Sequence, residues 1–549
     1  MKRRDFLRIL GIATASLGLK SIAKTSGDRP NVLFIAVDDL RPLLHCYGHK
    51  IVHSPNIDRL TREGMLFNRA YCQVAICSPS RTSLMTGLRP DSVGVVDNVT
   101  YFRNTVPDVV TLPQQFRNHG YETTYIGKIY HGAMCDEEKS WSRKATFAKF
   151  GYPRDVGGYQ LTENQALVKR RREEVEKKYG QVKLGGMACG PATECADVPD
   201  DAYQDGRSTN SAIATLQELK DKKPFFLAVG FYKPHLPFVA PKKYWDLYNP
   251  KEIDLANNPF VPKDAPSVGM HCSFELRVRH GIPKSGPIPD DMARNLIHGY
   301  LACTSYVDAQ IGRIVKELER LGLRKNTIIM LWGDHGWHLG EHTLWGKATN
   351  FEVATRSPLI VSSPNMKAAN RSSDALVELL DMYPTLCELA GLPVPEHLEG
   401  TSFVPLLDNP NRQWKPAAFS QFPCPALREW AARPLSDAMR GTFFGPLISR
   451  LEQKLSDEAP DRYNEELYNN HLMGYSMRTD RYRLTIWIDV RHPDIEPVAV
   501  ELYDHHKDPD ENVNVAVKPE NTELIKKLIN QIKTENRLEA KNAQVINST

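Results

Sequence analysis

The sequence has little net charge. Its 70 lysine and arginine residues nearly cancel its 66 aspartate and glutamate residues, which leaves a formal charge of +4 over 549 residues. Proteins that bind nucleic acids usually present a strongly basic face. The balance therefore does not support a nucleic-acid partner. A local basic cleft for an anionic ligand stays open, because net charge does not describe how the charges are distributed.

Long hydrophobic runs are also missing. A helix needs about 20 mostly apolar residues to cross a bilayer. The run at residues 9–19 is shorter than that, and no later segment reaches this length. We therefore expect no stable membrane insertion.

The same apolar run lies in a pattern that is typical of an export signal. Arg3 and Arg4 precede it, and the small residues Ser21 and Ala23 follow it. Paired arginines, an apolar segment and small residues are typical of a cleaved twin-arginine signal peptide. Residues 1–23 are interpreted as this signal, and an ordinary amphipathic helix is the alternative. The protein is expected to be exported to the periplasm or secreted.

The ten cysteines show no spacing that is typical of a metal site, so no zinc site is predicted. Outside the cytoplasm some of them could form disulfides, and Cys189 with Cys195 is one local candidate. The sequence alone does not determine the pairing.

Four apolar runs have the length and the β-branched or aromatic content of buried strands. They are residues 32–37, 121–126, 225–229 and 327–331. Helical patterns separate them. This alternation predicts an α/β fold with a large mixed, mostly parallel sheet sandwiched by helices.

The pattern changes after about residue 405. Three further strands and a last helix are expected, at residues 418–422, 475–488, 498–503 and 524–532. We interpret this part as a smaller C-terminal α+β domain with an antiparallel sheet. The predicted bounds are residues 28–425 for the large domain and 426–549 for the small one.

Each of the four strands of the large domain runs directly into polar residues. These are Asp38 and Asp39, Lys128 and His131, Lys233 and His235, and Asp334 and His335. In open α/β sheets, ligands bind at the carboxyl ends of the strands. The sequence therefore predicts an active site at this edge of the sheet.

Two of these strand ends have the chemistry of a metal site. Hard divalent cations bind several oxygen ligands, and Asp38, Asp39 and Asp334 can supply them. Each aspartate taken alone could equally be a helix cap or a loop carboxylate.

The stretch Cys77-Ser78-Pro79-Ser80-Arg81 is the most informative. Pro79 suits a first helical turn, which places Cys77 near a helix N-terminus, where an anion is favoured. A plain cysteine nucleophile is one alternative, but the base and orienting group of a cysteine hydrolase are missing. A buried structural cysteine is another.

This stretch resembles the C-x-P-S-R motif of the type I sulfatases, which belong to the alkaline phosphatase superfamily. The resemblance covers roughly residues 31–515 and implies an alkaline phosphatase-like fold. Several stretches look like the iduronate-2-sulfatase branch, at residues 38–42, 334–341, 350–355, 474–479 and 502–509.

The resemblance implies a set of site residues. In this family the cysteine, here Cys77, is oxidised by a maturation enzyme to formylglycine, whose hydrated aldehyde is the nucleophile. The family pattern implies one calcium ion, three further catalytic residues and three substrate-binding lysines. The metal ligands are Asp38, Asp39, Cys77, Asp334 and His335; the catalytic residues are Arg81, His131 and His235; the lysines are Lys128, Lys347 and Lys233.

One ligand departs from the pattern of many family members. They carry asparagine where this chain has His335, and a ring nitrogen is a softer ligand than calcium prefers. The expected metal site therefore combines carboxylate ligands with one imidazole.

The implied activity is hydrolysis of a sulfate ester of a sulfated carbohydrate. A 2-sulfated uronate and an algal polysaccharide such as ulvan are both candidate substrates. Two alternatives stay open: a phosphatase or phosphodiesterase of the same superfamily, and a non-catalytic protein that binds sulfated glycans.

Overall fold

A computed structural model describes residues 29–132, 134–144, 158–180, 188–222, 224–364, 366–428, 440–442 and 444–535. The predicted signal at residues 1–23 lies outside them. Within the described ranges, no helix combines the length and the apolar character that a membrane span needs.

The strands of the described residues are given in chain order. They are β1 (Asn31–Val37), β2 (Met65–Tyr71), β3 (Glu122–Gly127), β4 (Thr193–Ala196), β5 (Phe225–Phe231), β6 (Phe238–Pro241), β7 (Thr327–Gly333), β8 (His338–Leu339), β9 (Trp345–Gly346), β10 (Arg356–Ser362), β11 (Arg371–Glu378), β12 (Ala417–Pro423), β13 (Leu472–Thr479), β14 (Tyr482–Asp489) and β15 (Ala499–Asp504).

The α-helices of the same residues are α1 (Pro55–Arg62), α2 (Cys77–Thr86), α3 (Pro90–Val93), α4 (Phe102–Thr105), α5 (Leu112–Asn118), α6 (Glu137–Ser140), α7 (Thr162–Tyr179), α8 (Gln204–Leu219), α9 (Lys242–Trp245), α10 (Phe274–Arg277), α11 (Asp290–Arg320), α12 (Glu352–Thr355), α13 (Met382–Ala390), α14 (Val404–Asp408), α15 (Pro425–Arg428), α16 (Gly445–Glu458) and α17 (Thr522–Glu535).

Seven strands form the large sheet, in the order β11-β2-β10-β7-β1-β5-β3. The four strands expected from the sequence are β7, β1, β5 and β3, which are consecutive neighbours and pair in parallel. Strand β10 runs antiparallel to both of its neighbours. The predicted mixed, mostly parallel sheet is confirmed, and it brings four carboxyl ends to one edge.

Both faces of the large sheet are buried. Along β1, Val32 and Phe34 face one apolar cluster, while Leu33 and Ile35 face another. Helix α11 packs its apolar stripe, which includes Ile311, against the second cluster. A strand covered on both faces has no polar side, which explains the continuous apolar sequence of β1.

The small sheet is antiparallel, as expected, with the order β12-β13-β14-β15. Helix α17 covers it with Leu528 and Ile532. Strand β12 already belongs to this sheet, although it ends before the predicted boundary at residue 425. The bounds of the two domains remain a prediction.

The local disulfide that the sequence suggested is not formed. Cys195 is an exposed free thiol on β4, whose alternation turns this side chain to solvent. Cys189 packs instead against the apolar cluster around Phe274 and Phe444.

Candidate active site

The first strand end places two carboxylates at the centre of the site. Asp38 and Asp39 follow β1 directly, and both side chains are completely buried. Burial alone would raise the pKa of Asp38, but Lys128, His235 and Arg81 hold it well below its usual range. Asp38 therefore stays ionised inside the protein.

The neighbouring strand end adds a carboxylate and an imidazole. Asp334 Oδ1 accepts hydrogen bonds from the backbone N–H groups of Asp39 and His335, at 3.0 and 3.1 Å. His335 Nδ1 lies 3.0 Å from the Gly336 carbonyl oxygen. A carbonyl only accepts, so Nδ1 carries the hydrogen. The other nitrogen, Nε2, faces Asp39 Oδ1 at 3.5 Å and Asp334 Oδ2 at 3.6 Å.

Cys77 is the first residue of α2, and all ten residues of this helix are buried. Its Sγ lies 3.5 Å from His335 Nε2 and 3.5 Å from Lys128 Nζ. The backbone N–H of Ser78 donates to Asn98 Oδ1 at 2.9 Å. The structure thus places Cys77 where the sequence expected it, at a helix N-terminus that points into the site.

Arg81, one turn further along α2, ties the helix to the strand ends. Its Nε donates to Asp334 Oδ2 at 2.9 Å and its Nη2 donates to Asp38 Oδ1 at 3.1 Å. Nη1 donates to the carbonyl oxygens of Lys128 and Ile129. The guanidinium is fully buried and each of its three nitrogens donates at least one hydrogen bond, which fits a group that holds the site together.

The third strand end brings Lys128 and His131. Lys128 Nζ donates to Asp38 Oδ2. Burial, and then the positive charge of Lys128, lowers the pKa of His131 to about 3, so this ring is neutral. His131 Nδ1 is buried and has no hydrogen-bond partner among the described residues.

His235 lies in the loop that follows β5, and two charged side chains form hydrogen bonds with the backbone of this loop. Asp205 on α8 accepts from the backbone N–H groups of Tyr232 and Lys233, at 2.9 and 2.8 Å. Lys233 Nζ donates to the carbonyl oxygens of His235 and Pro237. These contacts indicate that Lys233 shapes the loop, and its predicted substrate-binding role stays a prediction.

Lys347, in the segment after β9, reaches the same centre. Its Nζ lies 2.9 Å from Asp39 Oδ1 and 3.0 Å from Oδ2, above the ring of Trp337 at 5.1 Å from the centroid.

Two overlapping groups of these side chains could hold a metal ion. In each group the potential ligand atoms lie within 4.8 Å of one another, and Cys77 belongs to both. The groups are Asp38, Asp39, Cys77 and His235, and Cys77, Asp334 and His335. Three buried carboxylates in so small a volume favour a bound hard cation.

The family model named Sulfatase matches residues 30–392, most of the chain. The chain belongs to the sulfatase family. It is a sulfuric ester hydrolase, and the predicted family and enzyme class are confirmed.

Curated relatives of this sulfatase agree with the assignment. Mouse iduronate 2-sulfatase is 33% identical and the alignment covers 94% of this chain and 96% of the relative. The human enzyme is 34% identical, with 87% and 89% covered. A sulfatase of Formosa agariphila is 33% identical, with 74% and 78% covered.

Solved structures share the fold. A phosphonate monoester hydrolase of Agrobacterium radiobacter superposes with a TM-score of 0.67 at 23% identity, covering 94% of this chain and 96% of that one. A 2-O GAG sulfatase superposes with a TM-score of 0.63 at 21% identity, covering 93% of each. The alkaline phosphatase-like fold expected from the motif is thereby confirmed.

Sequence reasoning missed one charged residue of the sulfatase site. Glu275 on α10 has its carboxylate 3.0 Å from His235 Nε2 and 3.3 Å from Lys347 Nζ. Burial would raise the pKa of Glu275, but Lys347 and His235 hold it well below its usual range. It lies in a short helix without a motif, so no local signal in the sequence points to it.

Proposed function

We propose that this sulfatase hydrolyses a sulfate ester of a sulfated carbohydrate with a formylglycine formed from Cys77. The observation that carries the proposal is the position of Cys77 Sγ, 3.5 Å from both Lys128 Nζ and His335 Nε2 at a buried helix start. An oxygen nucleophile at this position would lie between a sulfate-binding cation and the candidate metal ligands.

The residues present fit one divalent cation, and we assign calcium. Asp38, Asp39 and Asp334 offer buried carboxylate oxygens, and His335 presents Nε2 because Nδ1 is bonded to a backbone carbonyl. Position 77 completes the set. When bound, calcium supplies positive charge that stabilises the nucleophile and the sulfate oxygens.

The remaining residues divide the work on the sulfate group. Once formed, a hydrated aldehyde at position 77 would supply the hydroxyl nucleophile for the sulfate ester. His131 would contact this hydroxyl through its buried ring nitrogen, and Arg81 keeps the helix and the carboxylates in register. Lys128 and Lys347 bind the sulfate oxygens, a preorganised charge arrangement of the kind that contributes strongly to catalysis.

His235 protonates the leaving sugar oxygen. Its side chain is 26% exposed, whereas the side chains of Lys128 and Lys347 are 7% and 6% exposed. His235 therefore lies on the open side of the site, where the sugar has room. A proton donor in this position lowers the barrier for an alcohol leaving group.

The substrate class rests on the relatives and on the predicted leader. Two of the relatives are iduronate 2-sulfatases and a structural neighbour is a 2-O GAG sulfatase, which supports a 2-sulfated uronate. The twin-arginine signal predicted at residues 1–23 keeps an algal polysaccharide such as ulvan as the second candidate. Export to the periplasm or beyond would place the enzyme with such polymers.

A panel of defined sulfated oligosaccharides tests the proposal, using protein produced with a formylglycine-generating enzyme. We expect sulfate release from at least one member, and near-complete loss in Cys77→Ala. Cys387→Ala is the control, because Cys387 is equally buried but lies in the core away from the site. Release of phosphate and not sulfate would favour a phosphatase, and binding without turnover would favour a non-catalytic glycan-binding protein.

A further inference from the structure

We propose that Glu275 is a positioning residue that holds the ring of His235 toward the leaving group. This inference rests on the proposed function, because it assigns His235 the role of proton donor. Glu275 contacts His235 Nε2 at 3.0 Å and Lys347 Nζ at 3.3 Å, and it acts through His235.

The contacts decide which ring atom faces the substrate. His235 Nδ1 lies 2.7 Å from the carbonyl oxygen of Leu236, so Nδ1 carries a hydrogen and is engaged by the backbone. The other nitrogen, Nε2, lies 3.0 Å from Glu275 and 3.9 Å from Asp39. Because the ionised carboxylate of Glu275 only accepts, Nε2 carries a hydrogen as well, and this is the proton that a leaving oxygen can receive. Glu275 holds this N–H on the side of the site where Lys347 lies, with Lys347 Nζ 3.3 Å from the same carboxylate. A leaving oxygen bound on that side takes the proton from Nε2 and leaves a neutral ring.

The backbone of the His235 loop does not depend on Glu275. Asp205 holds two amides of this loop, and Lys233 holds the carbonyl oxygens of His235 and Pro237. Removing the Glu275 carboxylate should therefore release the ring of His235 without unfolding the loop.

Lys347 is less dependent on Glu275 than His235 is. It keeps both oxygens of Asp39, at 2.9 and 3.0 Å, and the face of Trp337. The contact with Lys347 fixes the position of the Glu275 carboxylate. The contact with His235 then lets this carboxylate orient the imidazole ring. Loss of Glu275 should consequently affect proton donation more than sulfate binding.

This asymmetry predicts a dependence on the leaving group. A sugar alcohol is a poor leaving group and needs a proton, whereas an aryl oxide with a low pKa leaves with little help. A misplaced proton donor should therefore slow the sugar sulfate and spare the aryl sulfate.

The first test compares two substrates on matured enzyme. They are 4-nitrocatechol sulfate and a 2-sulfated uronate disaccharide, or the panel sugar that the wild type hydrolyses fastest. In Glu275→Ala we expect kcat on the sugar to fall about 100-fold and kcat on the aryl sulfate to fall less than about threefold. Glu275→Gln should recover about tenfold on the sugar, because its amide oxygen can still accept from Nε2.

The control is Glu378→Ala. Glu378 is also a buried carboxylate between two cations, Arg89 and Lys415, but it lies outside the site. It should lower thermal stability and leave the ratio of the two kcat values unchanged. Equal losses on both substrates in Glu275→Ala, as expected of a purely structural residue, would overturn the proposal.

A double-mutant cycle on the sugar sulfate decides the question even if the aryl sulfate is not turned over. In a His235→Asn background, Glu275→Ala should lower kcat by less than about threefold. The reason is that the effects of mutating two residues that act as a unit do not add. A further 100-fold loss would show that Glu275 acts independently of His235. An inactive wild type would overturn both proposals, whereas an active wild type with additive losses would overturn this one alone.

Discussion

Arg81 donates a hydrogen bond from Nε to Asp334 Oδ2 at 2.9 Å, and this contact ties the helix of Cys77 to the end of β7. The same guanidinium donates to Asp38 at the end of β1. One planar group thus sets the spacing between two buried strand-end carboxylates. Arginine suits this position because its donors lie in a rigid fork.

Arg81→Lys should therefore be destabilised and nearly inactive. A lysine ammonium cannot serve both carboxylates and the two carbonyls, so buried acceptors lose their partners. We expect the free energy of unfolding to fall by about 3 kcal/mol, because a buried ion pair loses a partner. Turnover should fall at least about 100-fold, which is the usual effect when reacting groups are misplaced by about 1 Å. Thermal melting and sulfate release measure the two effects.

Arg89→Lys is the matched control. Arg89 makes a pair of hydrogen bonds to the buried carboxylate of Glu378, at 2.9 and 3.2 Å, outside the site. It should lower the melting temperature but leave turnover per folded molecule unchanged. Wild-type turnover in Arg81→Lys would show that the fork is dispensable.

One calcium ion should bind to each chain. The heat of binding reports this directly, without a measurement of enzyme activity. In Asp334→Asn the affinity should fall more than about 100-fold, because even residues behind a metal ligand contribute 10- to 100-fold. Isothermal titration of chelator-treated protein measures this. Asp374→Asn, an exposed carboxylate on β11, should titrate like the wild type. Unchanged calcium binding in Asp334→Asn would contradict the assignment of Asp334 as a calcium ligand. Full turnover after exhaustive chelation would show that the enzyme does not need the metal.

His338 should make the fold sensitive to acid. Burial, and then His342, His271 and Arg41, lowers the pKa of His338 well below its ordinary value, so the folded state keeps it neutral. The unfolded chain binds the proton at about pH 6.5. Stability is therefore lost as the pH falls below this value, by about 1.4 kcal/mol per pH unit for one such group.

His338 Nε2 lies 3.0 Å from Thr349 Oγ1. His338→Gln should flatten the pH dependence, since a glutamine amide can keep this hydrogen bond but does not titrate. Melting temperatures between pH 7 and pH 5 measure the slope. His506→Gln serves as control because His506 is exposed. Parallel wild-type and His338→Gln profiles would be incompatible with a buried neutral imidazole.

Maturation should precede export. Cys77 and its helix are buried, so a modifying enzyme needs an unfolded or nascent chain, whereas twin-arginine export carries folded proteins. Replacing Arg3 and Arg4 with lysine should leave active, formylglycine-bearing enzyme in the cytoplasm, where the peptide mass of residue 77 can be measured. Accumulation of that variant with an unmodified cysteine would reverse the order.

Most of the site could be predicted from the sequence because its residues follow buried strands. The apolar runs before Asp38, Lys128, His235 and Asp334 are visible without a structure, and parallel strands must end at one edge. Strands β2, β10 and β11 of the large sheet were not predicted. Met65–Tyr71 carries Asn68 and Arg69 in its middle, which interrupts its apolar run. Arg356–Ser362 contains a proline, and Arg371–Glu378 is a partly exposed edge strand with a polar start.

The sequence by itself determined the family, the enzyme class and the order of the strand-end residues, because each of these depends on contiguous residues. Only the tertiary structure decided that Lys233 holds its own loop and that Glu275 joins His235 to Lys347. Positions 235, 275 and 347 lie on separate segments, and no local pattern encodes their distance. The three side chains come into contact because α10 places Glu275 beside the carboxyl edge of the sheet. Burial strengthens the ionic contacts there.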